Sequence, residues 1–474
     1  MKNYDQFYIN GQWVQPTEKK LMDVINPSNE QVCAQIAIGN AQDVDKAAIA
    51  ASDAFSRYGL SSLDERKAIM HAIIGAFKNR YNDIADAISE EMGAPTQLAV
   101  KAQTGSGLAH LKAAAALLED FPFSQQQGAS LIVKEPVGVC GLITPWNWPL
   151  NQITCKVAPA IAVGCTVILK PSEIAPLSAY IFAQVMDEAG LPAGIFNLIN
   201  GDGAGVGTAL SEHPLVDMVS FTGSTRAGAL VAKNAAPTIK RVSQELGGKS
   251  ANIILPDADF ERAVNRGAHS VFSNSGQSCN APTRMLVPAD KLLQAEEIAA
   301  AVANKIVVGP ATGEQTTMGP VVSEIQYNKI RSLIEKGISE GAKLVCGGLD
   351  RPDGLDKGYF IQPTVFSQVN NGMTIAKEEI FGPVFAILPY ESVDHAIEIA
   401  NDTPYGLAGY IQGTDPKVLS YVASRIRAGN ININGQSGDI NTPFGGYKQS
   451  GNGREWGTHG FEDYLEVKAI SGLN

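Results

Sequence analysis

The 474-residue sequence predicts an α/β fold built on two successive sheets. Two observations carry that prediction. From Leu131 onward, short apolar runs alternate with helical segments, which is the pattern of βαβ units and a parallel sheet. A second alternation of the same kind starts at Ala251, with no linker between the two. Right-handed crossovers would place helices on both faces of each sheet.

Along the chain, Asp43 precedes an Ala-rich amphipathic stretch running through Phe55. Ser62 and Glu65 form a capping box, in which each side chain satisfies an amide at a helix start. Asn82 is placed to cap a helix that ends near Gly93, and Ala102 to Leu118 reads as a further helix. Strands are expected at 131–134 and 137–143. Beyond them, strands at 165–169, 195–199, 216–221 and 239–242 alternate with helices near 176–189, 205–211 and 226–235. In the second alternation the expected strands lie at 251–255, 284–287, 384–389 and 430–434. The helices between them cover about 259–272, 290–305, 323–339, 393–401 and 415–427. The stretch from Tyr464 to Ile470 reads as a strand far from the first sheet, able to pair with another chain.

Composition excludes several classes. Hydrophobic residues make up 45% and charged residues 18%, which suits packed cores and argues against disorder. Lys and Arg total 37 against 48 Asp and Glu, a net charge of −11, so no nucleic-acid partner is expected. Glycine and proline are spread as punctuation rather than low complexity. No apolar run comes after Met1-Lys-Asn-Tyr-Asp5, so no signal peptide is expected. The uncharged, mostly apolar run Val157 to Leu169, between Lys156 and Lys170, is shorter than the ~20 residues a bilayer requires, so no membrane association is expected. The six cysteines show no Cys-x-x-Cys pair and the six histidines no ligand spacing, so no metal is expected. Free thiols in a reducing cytoplasm are the simple reading.

Several motifs sit where strands end. Thr144-Pro-Trp-Asn-Trp-Pro149 pins Asn147 between prolines, where an amide donor can face a developing oxyanion; a plain proline-rich turn is the alternative. Lys170-Pro-Ser-Glu173 can clasp vicinal ribose hydroxyls or be a solvated turn. Gly201–Gly207 fails G-x-G-x-x-G because Val206 occupies the third glycine position. Phe221–Gly228 joins a strand to a helix whose free amides can hold a phosphate, with Ser224 as an added donor. Gly248-Lys-Ser250 is not a P-loop, since Ser243 stands where its first glycine belongs. Glu245-Leu-Gly-Gly-Lys249 couples a carboxylate to two glycines that permit close backbone approach. Ser273-Asn-Ser-Gly-Gln-Ser-Cys279 sets a cysteine in a polar loop, better placed as a nucleophile than Cys140 or Cys165 in strands; an inert buried thiol is the alternative.

Taken together, PWNWP, LKPSE, FTGSTRAG, ELGGKS, GQSC, EEIFGP at 378–383 and PFGGYKQSG at 443–451 resemble the aldehyde dehydrogenase superfamily, in its NAD(P)-dependent, hydrolytic branch. The resemblance implies a Rossmann-like cofactor domain, an α/β catalytic domain and a small β oligomerisation arm. The implied ranges are 1–117 with 138–247 for cofactor, 248–450 for catalysis, and 118–137 with 451–474 for the arm. It implies Cys279 as nucleophile, Asn147 and the Cys279 amide as oxyanion donors, and Glu245 as general base. The CoA-acylating branch generally lacks that glutamate, so a free carboxylic acid is the implied product. The implied cofactor is NAD, favoured over NADP because Glu173 would repel a 2′-phosphate. Its contacts would be Trp146, Lys170, Glu173, Gly203, Gly223, Ser224, Gly228, Leu246, Glu379 and Phe381. A small aldehyde is the implied substrate and a homodimer or homotetramer the implied assembly. Trp148, Asn151, Gln152 and Cys155, with the 434–441 loop, suggest a wide, polar substrate entrance, unless these side chains point away from it. The rival readings are a catalytically silent scaffold and a cofactor-free cysteine esterase.

Overall fold

The computed structural model describes residues 2–436 and 438–472. Five parallel strands form the centre of an eight-stranded sheet. In spatial order they are Arg241–Glu245, Met218–Thr222, Val139–Ile143, Thr166–Lys170 and Phe196–Leu198. Their side chains alternate between two cores, as strand geometry requires. Cys140, Leu142, Val167 and Leu169 pack with the helices Leu63–Asn79, Gly105–Asp120 and Pro149–Val163. Val139, Ile143 and Ile168 pack on the other face with the helix Ala41–Tyr58. Burial on both faces explains why Val139–Ile143 and Val167-Ile-Leu169 read as unbroken apolar runs.

Two edges complete this sheet. The hairpin Phe7–Ile9 and Gln12–Val14 pairs antiparallel beside Phe196–Leu198, and Gly451–Asn452 pairs antiparallel with Arg241–Glu245. The second sheet has seven strands in the order Lys343–Cys346, Thr364–Ser367, Val384–Tyr390, Arg284–Pro288, Ala251–Ile254, Ala408–Gln412 and Asn430–Ile433. All neighbours are parallel except the first pair.

The structure departs from the sequence expectations at particular places. The first helix begins at Ala41, so Asp43 lies inside it and does not precede it; Asn40 is the cap, and Asp43 supplies the returning carboxylate of a capping box. Ser62 and Glu65 form the expected box. Asn82 caps nothing, because its helix already begins at Tyr81; Gly93 does end it in a left-handed conformation. The expected helix over 102–118 is preceded by a π-helical turn, Ala99–Thr104, and is α-helical only from Gly105. The terminal strand Leu465–Ser471 pairs within its own chain, antiparallel to Ser130–Pro136, which also pairs with Ser124–Gln127. The helix Gly457–Glu462 just before it packs on Gly105–Asp120 and Pro149–Val163. Among the described residues, no helix is long and apolar enough to cross a membrane.

Candidate active site

The carboxyl ends of the first sheet face the second across a cleft. Val139–Ile143 leads into the loop carrying Asn147, and Pro149 occupies the first turn of the next helix, where its missing amide costs nothing. Asn147 is buried, and its Nδ2 donates to the Gln277 carbonyl oxygen at 3.1 Å. Trp148 Nε1 donates to Ser278 Oγ at 2.8 Å. These two bonds fasten the PWNWP loop directly to the residues before Cys279. The cysteine comes after the helix Phe260–Phe272 and a tight turn in which Asn274 and Ser275 are left-handed, at φ 52° and 55°. The residue retains partial exposure. Burial pushes the thiol well above the usual cysteine range, and Glu379, Glu245 and Glu455 reinforce the shift.

Glu245 ends the strand Arg241–Glu245. Both of its carboxylate oxygens are buried and have no hydrogen-bond partner among the described residues. Burial raises its pKa above the usual carboxylate range and Glu455 adds to this, while Lys156 and Arg454 oppose it. Behind it, Lys156 and Glu455 form a buried ion pair, with Lys156 Nζ also 3.2 Å from Ser220 Oγ. Desolvation pulls the Lys156 pKa down, but Glu455 outweighs it and the ammonium is held charged.

The cleft beside Cys279 is lined from the first sheet by Trp146, Asn147, Gly223, Ser224 and Leu246. From the second sheet's side, the helix Glu324–Ser339 contributes Gln326 and Lys329, and the segment before the strand Val384–Tyr390 contributes Glu379 and Phe381. Trp146 meets Phe381 edge-on, with ring centroids 5.4 Å apart. Phe381 is itself left-handed, at φ 60°, and its carbonyl accepts from Gln326 Nε2 at 2.8 Å. Glu379 Oε1 accepts from the Gly248 amide at 2.8 Å. Lys170 and Glu173 stand apart from this lining, paired at 3.1 Å just beyond the strand Thr166–Lys170. Gly203 opens a π-helical turn, and a side chain added there would meet nothing within 4 Å. Gly228 lies inside the helix Thr225–Ala235, packed so closely on Leu246 that a Cβ would stand 2.5 Å from it.

These residues fit a dinucleotide. Ser224 caps the helix Thr225–Ala235 and so opens a helix N-terminus toward the cleft, where an anion is favoured. Thr222 Oγ1 is buried in the same cleft without a partner among the described residues, a donor kept for something bound there. The Lys170–Glu173 pair offers both a donor and an acceptor for hydroxyl groups.

The residues expected at the substrate entrance are divided. Gln152 and Cys155 are buried in the helix, and the Cys155 thiol donates to Glu455 at 3.4 Å. Asn151 instead meets His110, 3.1 Å between Nδ2 and Nε2; His110 stands 5.2 Å from Trp456, which stacks on Phe444 at 4.6 Å. Burial pushes the His110 pKa down to about 3, so this aromatic cluster is uncharged. Ser437, in the loop expected to form the other wall, lies outside the described residues.

Sequence reasoning missed the roles of Lys156, Glu455, Gln326 and Lys329. For Lys156 a signal existed: a lone lysine bordering a long apolar run must find a buried partner if the helix is enclosed. Among the described residues, no cluster of His, Cys, Asp or Glu could hold a metal ion.

The chain as a whole is similar to known proteins. The model of the aldehyde dehydrogenase family matches residues 13–470. A protein named 3-succinoylsemialdehyde-pyridine dehydrogenase, from a Pseudomonas species, is 54% identical over 473 residues, which is 100% of this chain and 99% of that protein. A solved mutant of aldehyde dehydrogenase C from Pseudomonas syringae, in complex with NAD+ and octanal, is 52% identical with a TM-score of 0.98, covering 99% of this chain and 97% of that one. The betaine aldehyde dehydrogenase of Staphylococcus aureus, solved with NAD+, is 38% identical with a TM-score of 0.95, covering 98% of this chain and 94% of that one.

Proposed function

The chain belongs to the aldehyde dehydrogenase family, and on that premise we propose that it oxidises an aldehyde to the carboxylic acid with NAD. The observation that carries this reading is that Asn147 and Cys279 line one cleft, and that the strand end bearing Glu245 meets the Cys279 main chain at Gly248. Cys279 Sγ attacks the aldehyde carbon to form a thiohemiacetal. Its negative oxygen is met by the Asn147 amide and the Cys279 backbone N–H; losing one such donor typically costs about 2.7–4 kcal/mol. NAD, when bound, accepts the hydride that converts the thiohemiacetal to a thioester.

Glu245 then takes a proton from the water that attacks the thioester, releasing the acid and the thiol. Burial raises its pKa, which makes its carboxylate a stronger proton acceptor than an exposed one. The uncharged thiol of Cys279 needs a proton acceptor before attack, and Glu245 is the nearby candidate. Lys170 and Glu173 are assigned to the adenosine ribose, Ser224 to the pyrophosphate, and Trp146, Leu246, Glu379 and Phe381 to the nicotinamide end. Gly203 and Gly228 shape the turns around them.

For the substrate we favour a bulky aldehyde, because octanal is bound in the 52% identical structure and the relative at 54% is named for a pyridine-bearing semialdehyde. We also propose a homodimer or homotetramer in the cytoplasm. In this reading the chain divides into a cofactor domain, a catalytic domain, and an arm made of the Ser130–Pro136 and Leu465–Ser471 strands. The test is NADH formation across an aldehyde panel containing octanal and an aryl-bearing semialdehyde, with Cys279→Ala as control. Turnover by the wild type and none by the variant supports the proposal; inactivity across the whole panel sinks it.

A further inference from the structure

Two side-chain amides converge on one backbone carbonyl beneath the oxyanion site. Gln103 is fully buried and lies in the π-helical turn Ala99–Thr104. Such a turn takes in one extra residue and rotates the next turn of the chain relative to an α-helix, and π turns recur at functional sites. Here the turn directs Gln103 Nε2 to the main-chain oxygen of Asn147 at 3.1 Å and to Asn274 Oδ1 at 3.1 Å. Asn274 Nδ2 donates to the same Asn147 oxygen at 2.9 Å and to the Gln277 carbonyl at 3.2 Å. Gln277 is anchored in turn, its Nε2 on the Asn274 carbonyl at 3.2 Å and its Oε1 on the Val322 amide at 2.9 Å.

This network determines what the Asn147 side chain has left to give. An amide nitrogen carries two N–H donors. One is spent on the Gln277 carbonyl at 3.1 Å. The other is free for an incoming oxygen, and its direction is set by where the main chain of Asn147 is held. The Oε1 atom of Gln103 is buried without a partner among the described residues, which costs stability. An apolar side chain of the same size would avoid that cost but could not hold the Asn147 carbonyl.

We propose that Gln103, acting with Asn274 through the Asn147 main chain, is a positioning residue for the oxyanion donor. The inference rests on the reading of Asn147 as that donor. Gln103 touches neither substrate nor cofactor. It sets the angle at which the Asn147 amide meets the oxygen of the thiohemiacetal, and so acts on the step that forms it.

The experiment is a double-mutant cycle on the full-length protein, read as the pre-steady-state rate of NADH formation with KM for NAD measured alongside. Gln103→Met keeps the shape and removes the donor. Asn274→Asp tolerates the left-handed backbone, also removes a donor, and serves the same test if Gln103→Met fails to fold. Asn147→Ala alone should slow acylation about 10²–10³-fold. Gln103→Met should slow it about 10- to 100-fold, with KM for NAD unchanged. In the Asn147→Ala background Gln103→Met should produce no further loss. Full-rate acylation by Gln103→Met, or an equal loss in both backgrounds, overturns the proposal. Unchanged acylation in Asn147→Ala alone overturns the underlying reading of Asn147 instead, so the two failures are told apart.

Discussion

Gly248 lies against the main chain of Cys279: a Cβ placed on Gly248 would stand 2.3 Å from the Cys279 carbonyl oxygen. The second glycine of Glu245-Leu-Gly-Gly-Lys249 is therefore a spacer for Cys279, the proposed nucleophile. It lets the strand end bearing Glu245 and the loop bearing Cys279 approach to backbone contact. Gly248→Ala must displace one of them. A misplacement of about 1 Å can cost about 10²-fold in rate, so acylation measured by stopped flow should fall by that order. Wild-type acylation in this variant would remove the spacer role.

Lys170 and Glu173 are the residues proposed to govern cofactor choice. Glu173 is partly exposed while Lys170 is buried, and the two are 3.1 Å apart. A 2′-phosphate would bring negative charge against the Glu173 carboxylate. Glu173→Ala should raise kcat/KM for NADP relative to NAD. An unchanged ratio between the two cofactors would exclude charge repulsion as the source of the preference.

Lys156 and Glu455 support the site from behind. Removing one partner of a buried ion pair leaves an uncompensated charge and typically costs about 3–5 kcal/mol. Lys156→Met should lose stability of that order in urea unfolding. Lys156→Met combined with Glu455→Leu should recover most of it, because neither charge is then buried alone. A double variant no more stable than Lys156→Met would show that the pair is held for something other than mutual neutralisation.

Glu245 links stability to pH with a definite sign. Its folded pKa lies above the ordinary glutamate value of 4.5 because burial, and then Glu455, penalise the charged form. Its contribution is complete below that unfolded value and is lost as pH rises through the folded pKa. Glu245→Gln has no such titration. The Tm of Glu245→Gln relative to wild type should therefore climb with pH across that window. A constant difference in Tm over the whole range would mean that Glu245 does not titrate there.

Much of this site is legible in the sequence because its parts stand at the ends of apolar runs. The strands expected at 165–169 and 284–287 form at Thr166–Lys170 and Arg284–Pro288, and the turn Pro171-Ser-Glu173 follows directly after the first of them. The missed strands have physical reasons. Phe7–Ile9 and Gln12–Val14 are too short to show a period, and Ala408–Gln412 is interrupted by a glycine and ends on a glutamine. The Lys156–Glu455 pair joins residues 299 apart, and no local pattern records such a partner. Gln103 reaches Asn147 only because its helix begins with a π turn, whereas an α-helical reading of 102–118 gives that side chain a different phase. Cys155 stands one turn after Trp148-Pro-Leu-Asn-Gln152 and so suggests a wall residue, yet its thiol turns inward to Glu455.

Acylation of Cys279 and release of the acid by Glu245 are tested most directly by mixing Glu245→Gln with NAD and an accepted aldehyde in a stopped-flow spectrometer. The expected result is a burst of one NADH per active site, slower than in wild type because the thiol has lost its proton acceptor, then steady-state turnover far below wild type, because the thioester forms and is not hydrolysed. Steady-state turnover at the wild-type rate would contradict it.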